Sequence, residues 1–340
     1  MTTLIKLDSN ENPFGPSSAA VKAMHAVLAD CSNYPDDDAS LLRLKLAEHQ
    51  GVPIEHIVVT AGLTEFLGLL ARTFLANGLN AVTSERSFIV YRMATEAASA
   101  QLIEVPMRQS SFDLRQVAAA VNGNTRVIFL ANPNNPTGTV VTTDEVEHLF
   151  SQIPEHVVVV LDEAYYEFAA HFASKRGVQY SRSIDYVREG RNVVVLRTFS
   201  KVHGLAGIRV GYGIAPVELS ARIARQRAMY CVSTLAQAAA LAALEDVAHT
   251  GKTVENNTHQ SQRLIQAMAE LGYMTTLTWA NFLYCELGQN ANPLVERLRL
   301  EGIAVRGLDQ WGAKEAIRIT IGTPEQNGAL LTALRKLKGF

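Results

Sequence analysis

Cysteine is scarce. Cys31, Cys231 and Cys285 are scattered over 340 positions, and no two have the close spacing of a metal site or a redox pair. An odd, dispersed set argues against a disulfide framework and suits reduced thiols in the cytoplasm. An excess of charge is missing too: 31 Lys and Arg face 33 Asp and Glu, a formal net charge of −2. That lacks the basic footprint of most nucleic-acid binders. Long apolar runs are absent. The most apolar helical stretch, around Leu235–Leu244, is too short to span a bilayer. The opening residues lack the charged-then-apolar plan of a secretion signal, so none is expected. There is no repeat of solenoid length and no low-complexity tract. Charged residues make up only 19%, whereas hydrophobic residues reach 48%. That balance excludes wholesale disorder and allows a sizeable core. At roughly 150 residues per domain, the length suggests two domains, or one large and one small.

What is present is alternation. Short apolar, β-branched runs fall at His56–Thr60, Ala81–Thr83, Gln101–Val105, Arg126–Ala131, Val157–Leu161, Asn192–Arg197 and Ile208–Ile214. Amphipathic stretches separate several of them: Glu65–Ala76, Phe88–Ala98, Asp113–Val121 and Thr143–Gln152. Strands apolar on both faces and joined through helices read as a parallel sheet covered by helices. After Pro216 the pattern changes. Helical stretches at Leu219–Ala228 and Leu235–Leu271 lead into strand-like Phe282–Glu286, Ile303–Arg306 and Ala316–Ile321, with a helix near Asn292–Glu301 and a last helix from Pro324. The expected fold class is α/β. Residues 36–250 form a large domain with a mostly parallel sheet and flanking helices, and residues 251–340 a small C-terminal α+β domain. Pro13, Gly15, Pro16 and Pro35 interrupt residues 1–35, which are expected to form an extended arm and a helix packed with the small domain.

Three motifs carry chemistry. Ala131-Asn-Pro-Asn-Asn135-Pro-Thr-Gly138 directly follows an apolar strand, at the carboxyl edge where α/β sheets bind ligands. Its prolines stiffen the loop and present an Asn amide; the plain alternative is a rigid turn. Val157-Val-Val-Val-Val-Leu161 ends in Asp162, and an acid there is costly unless it meets a cation, or else it caps a helix. Thr198-Phe-Ser200-Lys201 closes a third apolar strand, with Arg209 eight residues after the lysine. Thr198, Ser200 and Arg209 suit a phosphate, and Lys201 can form a Schiff base. The order is what carries weight: an Asn, an acid, Ser-Lys and an Arg, three of them at strand ends.

These motifs resemble those of the fold-type I pyridoxal-phosphate enzymes, the aspartate-aminotransferase superfamily, over essentially the whole chain. Leu7-Asp-Ser-Asn-Glu-Asn-Pro-Phe-Gly15, Asn33-Tyr-Pro-Asp36 and Arg318-Ile-Thr-Ile-Gly-Thr323 are more narrowly similar to histidinol-phosphate aminotransferases. The resemblance implies pyridoxal 5'-phosphate as cofactor and residues 36–250 as its binding domain. It implies that Lys201 holds the cofactor and moves the substrate proton, and that Asp162 pairs with the ring nitrogen. Asn135 and Tyr165 would hydrogen-bond the ring oxygen, and Phe88 would stack on the ring. Gly62, Leu63 and Thr64, opening a helix, would bind the phosphate together with Thr198, Ser200 and Arg209. Tyr34 would reach the neighbouring subunit's phosphate, which implies a homodimer. Arg318, Arg306 and Asn12 would bind substrate; for Arg306 a surface salt bridge is the competing reading.

The implied activity is transamination between histidinol phosphate and 2-oxoglutarate, in histidine biosynthesis and in the cytoplasm. Departures from the family pattern include Thr64 for a common aspartate, His203 for tyrosine, Arg86-Ser87-Phe88 for Pro-Thr-Tyr, and Ala228–Cys231 for a Pro-Phe-Asn segment. None removes a catalytic group, but the last two alter the pocket wall. Two alternatives therefore stand: an aromatic or other amino-acid aminotransferase of a specialised pathway, and a threonine-phosphate-type decarboxylase. A transcriptional sensor would need a helix-turn-helix domain, which these residues do not contain. The nine histidines show no metal-ligand spacing, and no metal is expected.

Overall fold

A computed structural model describes residues 4–338. The strands are β1 Ile5–Leu7, β2 Ile57–Thr60, β3 Asn80–Ser84, β4 Gln101–Val105, β5 Thr125–Ala131, β6 Val158–Asp162, β7 Val193–Thr198, β8 Gly211–Ile214, β9 Met274–Thr275, β10 Phe282–Glu286, β11 Ile303–Leu308 and β12 Ala313–Thr320. Seven of them form one sheet in the order β2-β8-β7-β6-β5-β3-β4. The run from β4 to β7 is parallel throughout, whereas β8 lies antiparallel to both β7 and β2. Val127–Leu130, Val158–Leu161 and Val193–Leu196 are buried on both faces. Continuous apolar strands are what a sheet covered on both sides requires, and each such side chain contributes about 1.5–3 kcal/mol on burial.

The central strands end level. Ala131 pairs with Asp162 and Asp162 with Leu196, so the loops after β5, β6 and β7 leave the sheet along one edge. That edge is where the sequence places all three motifs. β8 begins at Gly211 rather than Ile208, because Arg209 sits in the left-handed region at φ 60° and cannot extend a strand.

The smaller sheet has the order β1-β11-β12-β10-β9. Its core unites Leu7, Leu264, Met268, Leu283, Ile317 and Ile319. β1 joins it through parallel pairing of Ile5, Lys6 and Leu7 with Ile303, Ala304 and Val305. The N-terminal arm therefore adds an edge strand to the small sheet. Its helix behaves differently from expectation. Ser18–Ala26, capped by Ser17, buries Ala20 in the core of the large sheet with Ala236, Ala239 and Ala240 of helix Thr234–Glu245. Small side chains on both helices permit that approach, so residues 1–35 divide between the two bodies.

The helical stretch expected over Leu235–Leu271 is two helices. Asp246 ends the first and caps the second, Val247–Glu270, by accepting the His249 N–H. The expected boundary after residue 250 falls inside that second helix. It begins beside the large sheet and buries Leu264, Ala267 and Met268 in the small core. Helices Ser40–Gln50, Tyr166–Arg176 and Ser183–Arg188 are further elements that the apolar pattern did not mark. Among the described residues no helix is long and apolar enough to cross a membrane.

Between the two bodies, Gly204 follows the Lys201 loop at φ +70°. A Cβ there would lie 2.1 Å from the Gly15 carbonyl oxygen. The missing side chain lets the N-terminal segment pass directly over the loop that carries the lysine.

Candidate active site

The loop after β5 is held before it presents anything. Asn132 exchanges amide hydrogen bonds with Val141, 3.1 and 3.0 Å, and Asn134 donates to the Arg86 carbonyl and the Thr137 hydroxyl. Asn135 then turns inward, and its carbonyl oxygen accepts a 2.6 Å hydrogen bond from Arg318. With the oxygen taken, the amide N–H groups are left to donate.

Asp162 ends β6. One carboxylate oxygen accepts from the Tyr91 hydroxyl at 2.9 Å and the other from the Ala164 N–H at 3.2 Å. Burial pushes its pKa up to about 6, and these two hydrogen bonds restrain the rise. Three residues on, the Tyr165 hydroxyl accepts from the Asn10 amide at 2.9 Å, and burial raises it to about 12. Its proton therefore remains available for donation.

Lys201 follows β7. Its amine meets the Ser9 carbonyl at 3.3 Å. Burial, aided by the nearby Arg318 charge, lowers the amine to about 7. A neutral amine is a nucleophile, and a lysine becomes one at neutral pH through this kind of desolvation. In the same loop the Ser200 N–H bonds the Thr198 hydroxyl at 3.0 Å, and Arg209 reaches the Ser200 hydroxyl at 3.4 Å. Gly62 precedes helix Leu63–Phe74 at φ +87°, and a Cβ there would come within 2.4 Å of the Arg209 guanidinium. The glycine lets the arginine lie across a helix start that no side chain caps.

The small body closes the other side. Arg306 and Arg318 are cross-strand partners on β11 and β12. Both donate to one neutral acceptor, the Asp8 carbonyl, at 3.2 and 2.8 Å. The Asp8 carboxylate lies 3.9 Å from Arg306. Together these walls enclose a cavity of about 380 Å³ that includes Leu63, Thr64, Phe88, Asn135, Asp162, Tyr165, Thr198, Ser200, Lys201, Arg209, Arg306 and Arg318. Lys201, Arg209, Arg306 and Arg318 face one buried acid across it, and the Arg318 Nε is buried without a partner among the described residues. Such a cavity suits an anionic ligand.

Residues 2–334 match the family described as aminotransferase class I and II. The chain belongs to the class I and II aminotransferases. Histidinol-phosphate aminotransferase 2 of Pseudomonas fluorescens is 40% identical over 335 residues, covering 98% of this aminotransferase and 89% of that protein. The histidinol-phosphate aminotransferase of Sinorhizobium meliloti, solved in complex with pyridoxal-5'-phosphate, superposes with a TM-score of 0.91 at 27% identity over 98% of this chain and 90% of that one. L-threonine-O-3-phosphate decarboxylase of Porphyromonas gingivalis, at 24% identity and a TM-score of 0.86 over 98% of this chain and 99% of that one, shares the fold.

Most residues that the sequence singled out in this aminotransferase meet in the cavity, but three do not line it. Asn12 turns away. Its amide donates to the Val202 carbonyl at 2.7 Å and to the Thr253 hydroxyl, so it braces the lysine loop from outside, and Asn10 takes the place in the cavity expected for it. Gly62 acts through the space it leaves. Tyr34 is 81% exposed and stacks on Tyr230 at 4.5 Å, away from the cavity. Ser9, Asn10, Tyr91 and Trp311 were not anticipated. Asn10 shares a motif with Asn12, and alternation would put both on one side; Asn10 escapes it by taking the left-handed region at φ 55°. Tyr91, one turn beyond Phe88, lies on the buried face of its helix. Trp311 had no signal.

The residues present fit pyridoxal phosphate by the chemistry of their donors. A buried amine, a buried acid, two outward-donating groups and a cation across a helix start match an amine-reactive, basic-nitrogen, phosphate-bearing ring. Among the described residues no group of three or more His, Cys, Asp and Glu could hold a metal ion.

Proposed function

We propose that this aminotransferase uses pyridoxal phosphate to move the amino group of histidinol phosphate to 2-oxoglutarate, giving imidazole-acetol phosphate and L-glutamate in histidine biosynthesis. The observation that carries the substrate is the pair Arg306 and Arg318, two guanidiniums converging on one cavity with a shared neutral acceptor. A dianionic phosphate accepts from both, each charge-assisted hydrogen bond being worth about 1.5–3 kcal/mol. The names of relatives at about 40% identity point the same way.

Bound pyridoxal phosphate supplies the electron sink for breaking a bond at the substrate's α-carbon. The chain does the rest. Asp162 would pair with the ring nitrogen, Asn135 and Tyr165 would donate to the ring oxygen, and Phe88 would pack against the ring. Gly62, Leu63, Thr64, Thr198, Ser200 and Arg209 would grip the phosphate. Lys201 would hold the cofactor through its amine and serve as the base that takes up and moves the proton of the substrate α-carbon. Its lowered pKa lets it accept that proton near neutrality. Arg318 serves the carboxylates of glutamate and 2-oxoglutarate as well as the phosphate substrate.

The working unit in this reading is a cytoplasmic homodimer. Tyr34 and Met229, both largely exposed, form with Tyr230 an apolar surface suited to a second copy, across which Tyr34 serves the neighbouring phosphate.

The test is kcat/KM with 2-oxoglutarate for histidinol phosphate, histidinol, histidine and phenylalanine. Histidinol phosphate should lead by a wide margin. A higher value for phenylalanine or another unphosphorylated amino acid would hand the assignment to an amino-acid aminotransferase. Carbon dioxide release from threonine phosphate would hand it to a decarboxylase.

A further inference from the structure

Tyr91 does not line the main cavity, yet it touches two groups that do. It lies on helix Val90–Ala97, is 1% exposed, and stacks on Phe129 at 4.8 Å with ring planes 6° apart. Phe88 meets it edge-on at 5.7 Å. Burial and these two ring contacts hold the hydroxyl beside the end of β6. That hydroxyl donates to Asp162 at 2.9 Å.

Asp162 needs such a donor. Burial and the neighbouring Glu163 favour its protonated form; Tyr91, the Ala164 N–H and the Lys201 charge favour the ionised one. The titratable groups around it are Tyr91 from its helix, Lys201 from the loop after β7, and Glu163 and Tyr165 from its own strand end. Of the two direct hydrogen bonds, that of Ala164 comes from the backbone. Tyr91 is thus the side chain through which the fold sets both the plane and the charge of the acid.

We propose that Tyr91 is a positioning residue for Asp162, its buried hydroxyl keeping the carboxylate oriented and ionised toward the cofactor site while its ring braces Phe88. This rests on the reading of Asp162 as the partner of the cofactor's ring nitrogen. An ionised acid holds that nitrogen protonated, and a protonated acid does not.

The experiment is the equilibrium affinity of the apoprotein for pyridoxal phosphate from pH 5 to 8, by quenching of intrinsic fluorescence, for the wild type, Tyr91→Phe and Asp162→Asn. Tyr91→Phe keeps both ring contacts and removes only the donor. Wild-type affinity should fall as the pH drops through about 6, the value to which Asp162 is raised. With one donor gone the acid takes its proton sooner. The midpoint of Tyr91→Phe should then lie about one pH unit higher, and its affinity should be about twofold lower at pH 7 and about tenfold lower at pH 5. Asp162→Asn reports the pH dependence of the cofactor's own groups and of Lys201, and should bind weakly with the Asp162 midpoint missing. A Tyr91→Phe midpoint equal to wild type overturns the proposal, even if affinity falls at every pH, because a purely packing role moves the level and not the midpoint. An Asp162→Asn profile identical to wild type overturns the reading of Asp162, and the role of Tyr91 with it.

Discussion

Asp162 and Glu163 are consecutive carboxylates at the end of one strand, and they face opposite sides of the sheet. Behind the sheet, Glu163 accepts from Arg197 at 2.9 and 3.2 Å and from Ser181 and Ser183. Arg197 in turn donates to Gln50 at 3.1 Å and lies over the Tyr166 ring at 3.4 Å. The Glu163 and Arg197 charges there are in contact with each other, and nearby Glu167 is pushed by burial toward its neutral form, up to about 7. In front, Asp162 is met by neutral donors, Lys201 by a carbonyl, and Arg318 by an amide and a carbonyl. Unpaired buried charge is costly, so a chain does not accumulate it without compensation. The closed cluster ties β6 to β7 and sets the ends that carry Asp162 and Lys201. The open one keeps its charges for a ligand. Burial alone does not distinguish the two regions; the completeness of the pairing does.

The sharpest way to break this contrast is to remove one residue from each side. Lys201→Ala should reduce turnover at least about 10⁴-fold. The thermal unfolding midpoint of its apoprotein should hardly move, because an amine already pushed toward neutrality by burial contributes little to the fold. An apoprotein that unfolds many degrees earlier would show that the front is structural as well. Glu163→Ala should do the opposite, lowering unfolding stability in urea by about 3–5 kcal/mol through the stranded Arg197 charge. Wild-type stability would mean that Arg197 does not depend on Glu163 for its compensation.

A smaller effect sharpens the front itself. Arg306→Ala should raise KM for histidinol phosphate by about 10–100-fold, the loss of one charge-assisted contact, and leave an unphosphorylated aromatic substrate nearly untouched. Arg318→Ala should damage both half-reactions. Equal losses for phosphorylated and unphosphorylated substrates in Arg306→Ala would reduce that residue to the Asp8 contact it also makes.

The smallest effect is in pH. The neutral amine is the reactive form, and Lys201 sits near 7 instead of 10.5. Capture of pyridoxal phosphate by the apoprotein should therefore gain only about twofold between pH 7 and 9, once the cofactor's own titration is subtracted. An unshifted lysine would gain about 100-fold over the same interval. Stopped-flow absorbance distinguishes the two.

The strands and the residues at their ends were legible because they obey local rules. Apolar runs with an Asn, an Asp or a Lys at the close mark buried parallel strands and their functional edge, and Asn135, Asp162, Lys201 and Arg209 follow from that pattern. Three things were decided only by tertiary packing. Asn10 rather than Asn12 enters the cavity, because the Asn10 backbone and side chain both engage Thr320, 310 positions away. Arg318 orients Asn135 across 183 positions. Tyr91 reaches Asp162 across 71, and nothing in its own helix marks it apart from other buried aromatics. Periodicity is a property of a few neighbouring residues, so the sequence by itself determined which strands form and what stands at their ends. A hydrogen bond between distant side chains exists only once two bodies have packed to within 3 Å of each other, and that packing chose the partners.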